Sequence, residues 1–164
     1  GWGGYFEWGL GKDAETYCYT NHSSQVKSIS QKYENYFYPA IFNNFAARMD
    51  WAAQGKGNRN PVVIVNGKKG LEIIYVKAKA GETIMLDASR SFDLENDGLY
   101  FRWWNLAEAG SCREKVEIRQ PHSSKTSLVV PEKASNTTIH IVCEVSDNGT
   151  PALTAYRRVV IDVR

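Results

Sequence analysis

The sequence predicts a mostly β protein: an immunoglobulin-like antiparallel β-sandwich, preceded by a loop-rich segment with one amphipathic helix. Three observations predict it. First, Thr83–Asp87 and Leu99–Trp104 alternate in polarity, with Ile84 and Leu86 two apart and Phe101 and Trp103 two apart. A period of two belongs to strands with one face buried. Second, similar runs recur about every dozen residues between turn signals, as in sandwiches. Third, only Tyr36–Gln54 repeats its apolar residues at helical spacing.

Taken in order, residues 1–35 are rich in Gly, Tyr, Ser and Asn and keep no period, which predicts loops and short helical turns. In the helix, Ile41, Phe42, Phe45, Ala46, Met49, Ala52 and Ala53 form one apolar face. Asn35 is placed to cap it, Pro39 to occupy its first turn and Gly55 to end it. That face is expected to pack on another element, either the sandwich or an upstream domain. The stretch 54–61 reads as a linker, which divides the chain into 1–57 and 58–164.

Strands are then expected over Pro61–Val65, Glu72–Lys77, Thr83–Asp87, Leu99–Leu106, Lys115–Ile118, Thr126–Val130, Thr138–Ser146 and Leu153–Val163. Asn66-Gly67-Lys68-Lys69-Gly70 turns between the first two. Asp147-Asn148-Gly149-Thr150-Pro151 turns between the last two. No internal repeat is visible.

Bulk properties exclude several classes. The 164 residues suffice for one well-formed core, and 43% hydrophobic with 23% charged is an ordinary globular balance. A net charge of +2, with Arg157-Arg158 and Lys68-Lys69 as isolated pairs, is too little for a phosphate-tracking surface, so no nucleic acid is expected. No run approaches the roughly 18 apolar residues of a membrane span, and no membrane partner is expected. The opening Gly-Trp-Gly-Gly lacks the pattern of a signal peptide and an initiator Met, and reads as a fragment of a longer, processed protein. Three cysteines cannot all pair. Cys143 shares a strand face with Ile141 and Val145 and reads as a buried thiol, with a Cys112–Cys143 disulfide as the alternative.

The chain carries no Ser-His-Asp elbow, no Cys-x-x-Cys, no His-Glu-x-x-His and no phosphate loop. His22, His122 and His140 are scattered. Asp87, Asp93, Glu95, Asp97 and Asp147 are the suggestive acids. Asp93, Glu95, Asp97 and Asp147 are candidate Ca²⁺ ligands, because hard cations need several oxygens converging from such loops. The competing reading is that they hydrogen-bond their own backbone to hold turns; no cofactor is required. Glu7, Glu108 and Glu144 are available as acids for glycoside cleavage, but no pattern pairs them across a cleft.

Aromatic residues make up 12% of the chain. Phe101 and Trp103 take the core face of their strand, which leaves Tyr100, Arg102 and Trp104 on the other. An indole beside a guanidinium can stack on a sugar ring and bond its hydroxyls. Trp2, Tyr5 and Trp8, near Glu7, form a second aromatic group.

Leu86-Asp87-Ala88-Ser89, Asp93 to Asp97, Leu99 to Trp103 and Glu144-Val145-Ser146-Asp147-Asn148-Gly149 resemble the motifs of PKD-type and cadherin-like sandwich modules. Asn96 stands where those modules usually have Gly. More widely, the chain resembles the C-terminal part of bacterial cellulose-binding proteins that carry a nucleoside-hydrolase-like N-terminal domain. Carrying this are Gly1-Trp2-Gly3-Gly4-Tyr5-Phe6-Glu7, Phe45 to Trp51, Asn60-Pro61-Val62-Val63, Glu108-Ala109-Gly110, Thr150-Pro151 and Tyr156-Arg157-Arg158. The resemblance implies a non-catalytic carbohydrate-binding domain, its partners a polysaccharide and an upstream hydrolase-like domain of the same chain. It also implies a secreted, periplasmic or cell-surface location. Under it, Tyr100, Arg102 and Trp104 supply a stacking platform, while Trp2, Tyr5 and Trp8 shape the boundary with the hydrolase-like part. A purely structural spacer is the alternative.

Overall fold

The computed structural model describes residues 5–164. The chain divides into two compact units, Gly1–Met49 and Asp50–Arg164. The division falls inside a helix, because the last helical turn is tied to the segment after it: the Trp51 indole N–H donates to the Asn58 carbonyl at 2.8 Å.

The first unit is not the run of loops that its composition predicts. β1 (Glu7–Leu10) and β2 (Tyr17–Thr20) pair antiparallel, with Trp8 opposite Tyr19 and Leu10 opposite Tyr17. The turn between them is held by Asp13, whose Oδ1 accepts the backbone N–H groups of Glu15 and Thr16, each at 3.1 Å. α1 (Ser24–Gln54) has 31 residues and starts twelve before the expected Tyr36. The start is set by Ser23, not Asn35: the Ser23 Oγ accepts the Val26 N–H at 3.3 Å. Pro39 therefore lies mid-helix, where it donates no backbone hydrogen bond. Gly55 ends the helix as expected, at φ +69° with its N–H on the Trp51 carbonyl.

The second unit is the sandwich. Its strands are β3 (Ile64–Val65), β4 (Lys68–Lys69), β5 (Ile74–Ala78), β6 (Thr83–Asp87), β7 (Tyr100–Asn105), β8 (Ile118–Arg119), β9 (Lys125–Val129), β10 (Thr137–Ser146) and β11 (Thr154–Val163). β3 and β4 form a small hairpin whose central Asn66 and Gly67 both have positive φ, the conformation that favours this dipeptide. Four strands make one sheet in the order β5-β11-β10-β7, and three make the other, β6-β9-β8. β5 lies parallel to β11; the other pairings are antiparallel.

The core lies between those sheets. Ile84 and Leu86 from β6 and Leu128 from β9 meet Ile139, Ile141, Cys143 and Val145 from β10 and Val159 and Ile161 from β11. Trp103 is sealed within it at 2% exposure, and its indole N–H donates to the Ser123 carbonyl at 2.9 Å. A buried indole without an acceptor would be costly, so this bond fixes the ring's pose. Cys112 and Cys143 are both buried and unpaired, which removes the disulfide and leaves the small-hydrophobe reading of Cys143. Burial, with a smaller contribution from the neighbouring Glu144 charge, pushes the Cys143 thiol far above its ordinary range. Among the described residues no helix is long and apolar enough to cross a membrane.

Candidate functional site

Alternation along β7 places Trp103 inward and Tyr100, Arg102 and Trp104 on the outward face of the four-stranded sheet. β7 is that sheet's edge strand. Register then builds three rows across the face. Tyr100 stands opposite Ser146 and Thr154, Arg102 opposite Glu144 and Tyr156, and Trp104 opposite Val142 and Arg158. Tyr100 is 66% exposed, and Arg102 is exposed beside it. Trp104 is half-buried, with its indole N–H donating to Glu144 Oε2 at 3.2 Å. The bond ties that ring to the sheet. Ser146 and Thr154 share a hydroxyl–hydroxyl bond of 2.8 Å beside Tyr100. The surface thus offers rings, hydroxyls, a guanidinium and a carboxylate on one strand-built, and therefore stiff, support.

The second aromatic group takes a different form from the expected one. Trp2 lies outside the described residues. Tyr5 is half-buried, its backbone N–H reaching the Ser30 hydroxyl at 3.4 Å. Trp8 is 62% exposed and joins two rings that sequence reasoning missed, Tyr17 and Tyr19. The Trp8 and Tyr19 centroids are 5.2 Å apart edge-on, and those of Trp8 and Tyr17 are 6.3 Å apart. Tyr17 and Tyr19 fall two apart in the sequence, which was the available signal, but the strand is only four residues long.

In the same unit a polar cleft of about 240 Å³ is lined by Lys12, Asn21, His22, Lys27, Ser30, Gln31 and Glu34. Ser30, at 1% exposure, holds it together, accepting from Asn21 Nδ2 at 3.3 Å and donating to Glu34 Oε1 at 2.8 Å.

The acids hold turns. Among the described residues no group of three or more His, Cys, Asp or Glu is gathered to hold a metal ion. Asp93 Oδ1 accepts the N–H groups of Glu95 and Asp97, at 2.8 and 3.1 Å. Asp147 Oδ1 accepts from Asn58 Nδ2, Gly149 N and Leu153 N, at 3.0, 3.0 and 2.9 Å. Glu95 lies out towards Arg59, 4.0 Å away. Asn96 adopts φ +65°, the left-handed conformation that Gly takes without strain and Asn tolerates, so the altered motif keeps its turn. Asp87 Oδ1 accepts both the Ser89 hydroxyl and its N–H, at 2.6 and 2.8 Å, while Oδ2 meets Lys125 Nζ at 3.0 Å. Those Ser89 bonds first, then Lys125, hold its carboxyl down at about 2. Of the acids considered for catalysis, Glu144 binds the Trp104 indole, and Glu7 is exposed on β1.

Residues 83–163 match a family model described as the C-terminal domain of the cellulose-binding protein Sde0182. Among solved structures, the chain is similar over its whole length to a nucleoside hydrolase-related hypothetical protein from Saccharophagus degradans that is associated with carbohydrate metabolism. The two share 36% identity at a TM-score of 0.83. This chain spans 42% of that protein's length. The PKD domain of the KIAA 1837 protein aligns with 66% of this chain and 90% of its own, at 14% identity and a TM-score of 0.41. The M1 domain of titin aligns with 62% of this chain and 94% of its own, at 13% identity and a TM-score of 0.34. No match was found among curated proteins.

Proposed function

We propose that this chain, whose residues 83–163 match a family model described as the C-terminal domain of cellulose-binding protein Sde0182, is a non-catalytic module that binds a cellulose-like glycan. It does so as the accessory part of a longer, exported, nucleoside hydrolase-related protein, acting in a secreted, periplasmic or cell-surface setting. One observation carries the reading: within the family segment, Tyr100 and Arg102 stand exposed beside Trp104 on the outward face of β7. A glucan chain presents flat C–H faces and equatorial hydroxyls. Tyr100 and Trp104 meet the first, and Arg102, Glu144, Ser146 and Thr154 meet the second. The Trp8–Tyr17–Tyr19 surface is a further stacking platform of the same chemistry.

Retention on insoluble cellulose tests this. The chain is expected to be retained, and the double variant Tyr100→Ala/Arg102→Ala to lose retention about 10-fold or more with an unchanged melting temperature. Absence of retention on cellulose and related glucans defeats the proposal. A spacer role is favoured by one fact, the half-burial of Trp104 and the engagement of its N–H by Glu144. It predicts no retention in either protein.

A further inference from the structure

α1 carries hydrophobic residues on two sides. One side is buried through Val26, Ser30, Tyr33 and Ala47. On the other, Tyr38, Ile41, Phe42, Phe45 and Met49 recur at intervals of three and four, so they form one stripe, yet they are 64%, 37%, 57%, 58% and 49% exposed. None of the five is charged, and Tyr38 and Phe42 stack at 6.3 Å, so the stripe is continuous at that end. A helix apolar on two sides suits a position between two layers. Contiguous exposed apolar surface of this kind marks an interaction site.

Composition narrows the occupant. A sugar chain is held by ring faces alternating with hydrogen-bonding groups, but Ile41 and Met49 offer neither. Aliphatic and aromatic side chains mixed along a helical ridge suit the ridges and grooves of a protein interior. The Saccharophagus degradans relative, whose matched portion is only 42% of its length, is nucleoside hydrolase-related. Resting on the proposed reading of this chain as part of a longer protein, we infer that the Tyr38–Met49 stripe docks a nucleoside hydrolase-related domain of the same polypeptide, making α1 a shared layer between that domain and the N-terminal unit.

The test places this chain into the Saccharophagus degradans relative in exchange for its aligned segment. Phe42→Cys and Phe45→Cys are labelled with a maleimide in the isolated chain and in the chimera, with Tyr100→Cys as the reference. Labelling at 42 and 45 is expected to slow by about 100-fold in the chimera and to stay rapid at 100. Equal rates in both proteins overturn the inference. So does protection in the isolated chain that grows with its concentration, which points to a second copy, or protection by cello-oligosaccharide, which points to a glycan.

A second measurement needs no chimera. Phe42→Asp/Phe45→Asp in the isolated chain is expected to reduce binding of an apolar dye with little change in melting temperature. A large loss of stability overturns the inference, because the rings would then be serving this chain's own core. Cellulose retention is read on the Phe42→Cys and Phe45→Cys chimeras, which keep Tyr100. Its loss with the stripe protected sinks the glycan proposal alone, and its persistence with the stripe accessible sinks this one alone.

Discussion

The two units handle the same kind of residue in opposite ways. In the C-terminal unit nearly every alternating apolar position is closed off: Leu86, Leu128, Ile141, Val145, Val159 and Ile161 are at or below 1% exposure. In the N-terminal unit Val26, Tyr33 and Ala47 are buried, while Trp8, Tyr19, Tyr38, Phe42 and Phe45 are each more than half exposed. The difference lies in architecture. Two facing sheets bury one face of each strand without outside help, whereas a two-stranded hairpin and one helix have too few layers to cover both of their sides. Hydrophobicity in a sequence states that a residue is to be covered; it does not state by what.

The largest effect that sharpens the contrast is expected at Trp103. Trp103→Ala removes a sealed ring between the sheets and leaves the Ser123 carbonyl without its donor. A loss of about 3–5 kcal/mol is expected in urea unfolding. A loss below about 1 kcal/mol would mean that the sandwich does not depend on its central ring. Asp147→Ala comes next. One buried oxygen gathers three donors from the 58, 149 and 153 positions, and a loss of about 2–4 kcal/mol is expected, measured the same way.

Legibility in the sequence divides along the same line. β6 has the predicted bounds Thr83–Asp87, and the inward Trp103 and outward Trp104 agree with alternation, because a strand in a two-sheet sandwich has one side that must be buried. β1 and β2 were illegible: four residues each carry too little period to stand out from the Gly-rich, polar sequence around them. The helix stripe has the expected spacing in a different environment. Ile41, Phe42, Phe45 and Met49 do share a face, but that face is exposed, and the buried side is marked instead by Val26, Ser30 and Tyr33, upstream of the periodic stretch. The Trp8 platform needs Tyr17 and Tyr19 brought across a hairpin. The acid set is visible in the sequence but its role is not, because a loop carboxylate that binds its own backbone and one that binds a cation look alike until partners are visible.

A smaller effect concerns the rim of the sandwich. Asp87 is held at about 2 against an ordinary 3.8 by Ser89 and Lys125. Its folded value lies below its unfolded one, so its contribution is fully present above pH 3.8 and is lost as pH falls towards 2. The full shift corresponds to roughly 2.5 kcal/mol, but the side chain is 44% exposed and solvent screening reduces the expected contribution to less than about 1 kcal/mol. Asp87→Asn is therefore expected to flatten stability between pH 4 and 2 (a window of roughly two units) and to change it only slightly at neutral pH. An unchanged acid slope in the variant would place the titrating group elsewhere.

The smallest effect is the one that separates the units most sharply. Phe42→Ala in the isolated chain removes a ring as hydrophobic as many in the sandwich core, yet the expected change is within about 0.5 kcal/mol, because a side chain already 57% in water gives up little burial. Thermal unfolding followed by far-UV circular dichroism reads this directly. A loss above about 2 kcal/mol, comparable to a core truncation, would mean that the ring is covered in solution and that the N-terminal unit closes its own surface after all.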